Sequence, residues 1–133
     1  MTAGTLGLIR VTMLGLTGLL CLVYAALALW TGQPDPMAWY WPTAMGLASG
    51  VVITVSAVAA GRRRARAATD ELYHLTNQRA LAQAYWLSLG LFAVLALASS
   101  RGLVDWRTGF AVLGCLMGAA YLLLFVWHDL RAR

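Results

Sequence analysis

Acidic and imidazole side chains at helical spacing are the first groups to consider, because such pairs can hold metal ions. Glu71 and His74 lie three residues apart, which is the spacing of the Glu-x-x-His ligand pair in di-iron helical bundles. Those centres need two such pairs and further glutamates, and Glu71 is the only glutamate of this chain. We therefore expect no metal site. The sequence also offers no Ser/His/Asp arrangement or nucleotide-binding glycine loop, so we expect no enzymatic activity.

His128 is a candidate contact for a ligand or cofactor, because imidazole binds haem and chlorophyll. It lies beside Asp129 at the end of an apolar segment. A histidine at that position also serves as an interfacial anchor, favoured by the negative end of a helix dipole. We therefore expect no cofactor, and His128 remains the candidate contact if a pigment or haem is bound.

The two cysteines, Cys21 and Cys115, form no C-x-x-C motif and have no metal-ligand spacing. Thiols in an apolar environment pack as small hydrophobic residues. A disulfide between them would require the first and fourth helices to meet at that depth. We expect two free thiols.

Composition places these residues in a membrane. The chain has 133 residues, of which 61% are hydrophobic and 11% are charged, whereas soluble domains have about 25% charged residues. A chain of this size cannot bury so much apolar surface in one water-soluble core. The sequence therefore predicts a single integral membrane domain over residues 1–133.

Charges and turn residues delimit four apolar segments that can each cross a hydrocarbon layer of about 30 Å. The predicted spans are residues 11–30, 43–61, 84–100 and 108–128. The third helix is expected to begin earlier, from about residue 70, because Thr69 is a suitable N-cap and acidic residues follow it. The predicted fold is all-α, an integral membrane bundle of four transmembrane helices arranged as two hairpins.

Arginines are distributed unequally between the two ends of this predicted bundle. Only Arg101 and Arg107 lie on one side, and the remaining arginines lie on the other. The positive-inside rule then places both the N and C termini in the cytoplasm, and we expect a multi-pass protein of the bacterial inner membrane. A cluster directly after the second span is expected to bind anionic lipid headgroups rather than nucleic acid. This cluster consists of Arg62, Arg63, Arg64 and Arg66.

Glycines four residues apart occur in the second and fourth spans, where they allow close approach of helix backbones. On the second span, further small residues extend the same stripe. The predicted set of helix-packing or oligomer contacts is Gly46, Gly50, Ala57, Gly61, Gly114 and Gly118. The pattern is compatible with packing inside the monomer, with a homo-oligomer and with a larger membrane complex.

The cytosolic start of the third helix is a candidate docking surface for a partner. Asp70, His74, Asn77 and Gln78 recur at helical spacing and form one polar face. A solvated helix surface is the simpler interpretation of the same pattern.

The same segment carries a resemblance to a known group. The acidic pair Asp70-Glu71, the run Asn77-Gln78-Arg79-Ala80 and the junction Ala84-Tyr85-Trp86 resemble small uncharacterised bacterial four-helix membrane proteins. In that group, an acidic pair opens a cytosolic helix that enters the membrane through an alanine-rich, aromatic junction. The resemblance implies the four-helix fold and no catalytic activity.

The sequence is rich in packing devices and poor in reactive groups. It therefore predicts a small non-catalytic accessory or scaffold subunit. One alternative is a small transporter or channel without a membrane-embedded carboxylate, in which hydroxyl groups should converge on one interior face. If they instead bond backbone carbonyls within their own helices, they should be scattered. Those hydroxyl residues are Thr12, Thr17, Ser49, Thr54, Ser56 and Ser88. The other alternative is a subunit of a pigment or electron-transfer membrane complex.

Overall fold

Most of the chain that the structure describes is helical. A computed structural model describes residues 3–38, 40–61, 63 and 71–131. These residues form four helices, which are α1 (Ala3–Thr31), α2 (Tyr40–Ala60), α3 (Glu71–Ser100) and α4 (Trp106–Arg131). Each is long and apolar enough to cross a membrane. The predicted all-α fold, with four helices long and apolar enough to span a membrane, is confirmed.

The ends of the helices follow from local sequence signals. Gly32, Gly61 and Gly102 follow α1, α2 and α3, and each has a positive φ, between 66° and 83°. Glycine adopts this left-handed conformation without a steric penalty, so it terminates helices efficiently. At the start of α4, the carboxylate of Asp105 accepts a hydrogen bond of 3.0 Å from the backbone N–H of Arg107, as an N-cap does. Gly61, a predicted packing position, thus lies at the end of α2.

The four helices lie in the spatial order α2–α1–α4–α3. Helix α1 packs against α2 on one side and α4 on the other, while α4 also packs against α3. The α1–α2 hairpin and the α3–α4 hairpin therefore meet through α1 and α4. Helix α2 packs mainly against α1. Ser49 is the buried residue of α2.

Small residues allow α1 and α4 to pack closely against each other. Ala25 and Ala28 of α1 form a buried cluster with Val112 of α4. A Cβ atom added to Gly18 would lie only 3.0 Å from the side chain of Leu123. Because membrane helices associate through van der Waals packing, this close approach stabilises the interface between the two hairpins. The predicted glycine pairs are not part of it.

Candidate functional site

Three helices meet around the guanidinium group of Arg10. Its Nη2 donates a hydrogen bond of 3.0 Å to Oδ1 of Asp129 in the last turns of α4. Its Cζ lies 4.4 Å from the centre of the Tyr73 ring on α3 and 5.4 Å from the Phe125 ring on α4. The two rings contact each other edge to face, with centroids 5.5 Å apart. We call these four residues the arginine cluster.

The arginine cluster is largely withdrawn from solvent. The side chains of Arg10 and Asp129 are 13% and 12% exposed, so their attraction is screened less than that of a surface ion pair. The aromatic faces add a cation–π interaction with the guanidinium. The cluster therefore ties one end of α1 to the adjacent ends of α3 and α4. The charge of Arg10 thus contributes to holding the ends of these three helices together.

In the sequence, Arg10 and Asp129 are charges at the ends of the first and fourth predicted spans, and nothing pairs them. The two residues are 119 positions apart, so no local motif joins them. The available signal was their shared level, since both are expected at the cytoplasmic ends of antiparallel spans.

Two further polar contacts join α3 to α4. The hydroxyl of Tyr121 donates a hydrogen bond of 2.7 Å to Oδ1 of Asn77. Nε2 of His128 lies 2.7 Å from Oε1 of Gln83 and donates to this amide oxygen. The candidate cofactor contact, His128, therefore has a hydrogen-bond partner within the protein at this nitrogen.

The predicted docking face is divided by the packing of α3. Asn77 is half-buried and bonded to α4 through Tyr121. His74 and Gln78 are exposed. Asp70 lies outside the residues that the structure describes. Of the basic cluster after α2, Arg63 is described and exposed, while Arg62, Arg64 and Arg66 lie outside the described residues.

The hydroxyl groups of the spans are dispersed. Thr54 and Ser88 each donate to the backbone carbonyl four residues earlier, at 2.8 Å and 2.7 Å. Thr17 does the same at 2.9 Å. Its oxygen also lies 2.7 Å from the Ser49 hydroxyl oxygen, between α1 and α2. The hydroxyls of Thr17, Thr54 and Ser88 thus bond to their own helix backbone. Among these hydroxyl residues, the described helices bring only Thr17 and Ser49 together.

The other two predicted pathway residues add little to a shared face. Thr12 is exposed on α1, and Ser56 is half-buried on α2.

The predicted glycine pairs lie outside the close contacts of the monomer. Beyond the neighbouring backbone of its own helix, a Cβ atom at Gly50, Gly114 or Gly118 would meet no atom within 4 Å, and one at Gly46 would meet only Thr17 Cγ2, at 4.0 Å. Ala57 is half-buried. The tight positions are instead Gly18 and Gly109, which sequence reasoning did not single out. A Cβ at Gly109 would lie 3.1 Å from Ser99 Oγ.

No family model matches the chain, and no curated protein or solved structure matches it significantly. The resemblance of the third-helix segment to small four-helix membrane proteins therefore stays a prediction. Within the described residues, no three His, Cys, Asp or Glu side chains are grouped so that they could hold a metal ion.

Proposed function

We propose that this protein is a small non-catalytic scaffold or accessory subunit of the bacterial inner membrane that self-associates through the outward face of α2. The observation that supports this proposal is the open position of Gly50. A Cβ atom there would meet nothing within 4 Å, although glycine in a helix interior costs about 0.5–1 kcal/mol relative to alanine. The monomer gives no packing reason for a glycine at this position. A close helix contact outside the monomer would supply one.

The outward face of α2 has both a groove and a ridge. Gly46, Gly50 and Thr54 follow one another at intervals of four residues, so they lie on one side of the helix. Next to them stand larger apolar side chains, of which Val51 and Val55 are both 61% exposed. Together these residues line a shallow depression of about 390 Å³. The α2 face is defined by Gly46, Leu47, Gly50, Val51, Thr54 and Val55.

A second copy of the chain fits this surface better than an unrelated helix. In a two-fold dimer the same surface is used twice, so the ridge of one copy must fit the groove of the other. The α2 face carries both features side by side. Its polar group, the Thr54 hydroxyl, already donates to the Gly50 carbonyl at 2.8 Å, so an apolar contact leaves no hydroxyl donor unsatisfied.

The remaining surfaces fit a subunit anchored at the cytoplasmic side. With 30 residues, α3 is about 45 Å long at 1.5 Å per residue, longer than the hydrocarbon core of about 30 Å. Its first turns therefore extend beyond that core. In these turns, His74 and Gln78 are exposed and available for contact with another subunit. Arg63, which follows α2, is exposed and available for contact with anionic headgroups.

The test is the oligomeric mass of the protein in lipid bilayers or mild detergent, compared with that of Gly50→Leu. The added side chain meets open space in the monomer, so folding should be retained while the groove is filled. We expect the dissociation constant of the dimer to rise at least tenfold, which corresponds to a loss of about 1.4 kcal/mol of binding free energy.

Gly114→Leu is the matched control, because this glycine is equally open but lies on α4. It should leave dimerisation unchanged. A monomeric wild-type protein, or a dimer insensitive to Gly50→Leu, would refute self-association through α2. Equal weakening by both substitutions would show that the effect is not specific to the α2 face.

A further inference from the structure

The two cysteines lie on the facing sides of α1 and α4. Cys21 is three residues after Gly18 and four before Ala25, so all three belong to the α1 surface that α4 covers. Cys115 packs against the buried cluster of Ala25, Ala28 and Val112. The thiols of Cys21 and Cys115 lie close enough to interact with each other. The two helices therefore meet at the level that a disulfide requires.

The thiol pair lies near the middle of the predicted first and fourth spans. Cys21 is eleven residues from Arg10, which bonds the end of α4, and eleven from Gly32, whose carbonyl accepts a hydrogen bond from Thr108 at the start of α4. At 1.5 Å per residue, each of these points is about 16 Å away. Water-soluble thiols and oxidants reach such a depth poorly, whereas lipid-soluble thiols and oxidants reach it readily.

We propose that Cys21 and Cys115 form a reversible dithiol/disulfide pair that links α1 covalently to α4 inside the membrane. Disulfides require Cα atoms about 4.4–6.8 Å apart, and small residues permit such an approach between helices. Gly18, one turn from Cys21, is already in tight contact with Leu123 of α4. Formation of the bond then requires rotation of the two cysteine side chains until the sulfur atoms meet.

The oxidant is a lipid-soluble disulfide. One cysteine sulfur attacks a sulfur of the oxidant, forms a mixed disulfide and releases the first thiol. The second cysteine sulfur then attacks the mixed disulfide and releases the second thiol. Two S–H bonds of the protein are broken and one S–S bond is formed. The oxidant accepts the two electrons and two protons and leaves as two thiols.

The consequence follows from the order of the helices. Because α1 belongs to one hairpin and α4 to the other, the bond joins the two hairpins at their common interface. The reduced protein holds this interface by packing, the arginine cluster and a few hydrogen bonds. The oxidised protein holds it covalently as well, so the hairpins cannot separate until a thiol reduces the bond.

The experiment treats the full chain in lipid nanodiscs with dipyridyl disulfide, which is lipid-soluble. Intact mass and peptide mapping are then measured on denatured protein. We expect a loss of two hydrogen atoms in mass and a Cys21–Cys115 cross-link within one chain. Dithiothreitol should restore the original mass. A product carrying two thiopyridyl groups, a disulfide between chains or two unreacted thiols would overturn the proposal.

Three variants complete the test. Cys21→Ser and Cys115→Ser each retain one thiol and should each acquire one thiopyridyl group, which shows that the reagent reaches this depth. The geometric control combines Cys115→Ala with Gly114→Cys, because position 114 is open and exposed on α4. Its intramolecular cross-link should form at least tenfold more slowly than that of the native pair. Equal rates would contradict the inference that contact across the α1–α4 interface selects these two thiols.

Discussion

Replacing Asp129 by asparagine tests the arginine cluster with little change in shape. The substitution removes the negative charge but keeps an oxygen that can accept a hydrogen bond from Arg10. The Coulomb attraction of two unit charges 3.0 Å apart is about 5.5 kcal/mol at an effective dielectric constant of about 20. Desolvation of both groups offsets a large part of this energy.

The net effect follows from the exposure of the pair. Removing one partner of a fully buried ion pair costs about 3–5 kcal/mol, and exposed pairs contribute less than about 1 kcal/mol. At 13% and 12% exposure, this pair lies nearer the buried limit. Asparagine retains an acceptor, however, and the Tyr73 ring still faces the guanidinium. We expect Asp129→Asn to lower the free energy of unfolding by about 2 kcal/mol.

The assay is reversible unfolding in mixed detergent and lipid micelles, followed by circular dichroism or by hairpin separation. Asp105→Asn is the matched control, since it removes the same charge from an exposed residue whose capping role asparagine can perform. Its cost should be below about 0.5 kcal/mol. A double-mutant cycle with Arg10→Gln should give a coupling energy of at least about 1 kcal/mol. Equal effects of Asp129→Asn and Asp105→Asn, or a coupling energy near zero, would refute the reasoning.

Two further predictions concern packing and hydrogen bonding between helices. Gly18→Leu should destabilise the α1–α4 interface by about 2 kcal/mol or more, because even its Cβ would lie 3.0 Å from Leu123. Gly114→Leu should be close to neutral in the same unfolding assay, and similar losses for both variants would contradict the packing argument. Ser49→Ala should cost about 0.6–1 kcal/mol by removing its 2.7 Å contact with Thr17. A double-mutant cycle with Thr17→Val measures that contact, and additivity would argue against it.

Much of the helix layout could be predicted from the sequence. Uninterrupted apolar runs require four helices in a membrane, because lipid leaves backbone polar groups no other partners. The predicted spans 43–61 and 108–128 agree with α2 and α4 to within three residues. The first helix begins at Ala3, well before the predicted start at residue 11. Arg10 precedes the predicted first span as its limiting charge, but its ion pair with Asp129 accommodates this charge inside α1.

Only the tertiary structure decided which helix faces meet. Apolar residues cover most of each helix, so apolar character does not distinguish one face from another, and packing depends on the shape of the side chains. The sequence indicated Gly46 and Gly50 as packing residues, whereas the monomer uses Gly18 and leaves Gly50 open. The contact between Cys21 and Cys115 likewise depends on the α1–α4 pairing. Composition and charge thus determined a four-span membrane protein. Only long-range packing determined which of its few polar groups and thiols lie together.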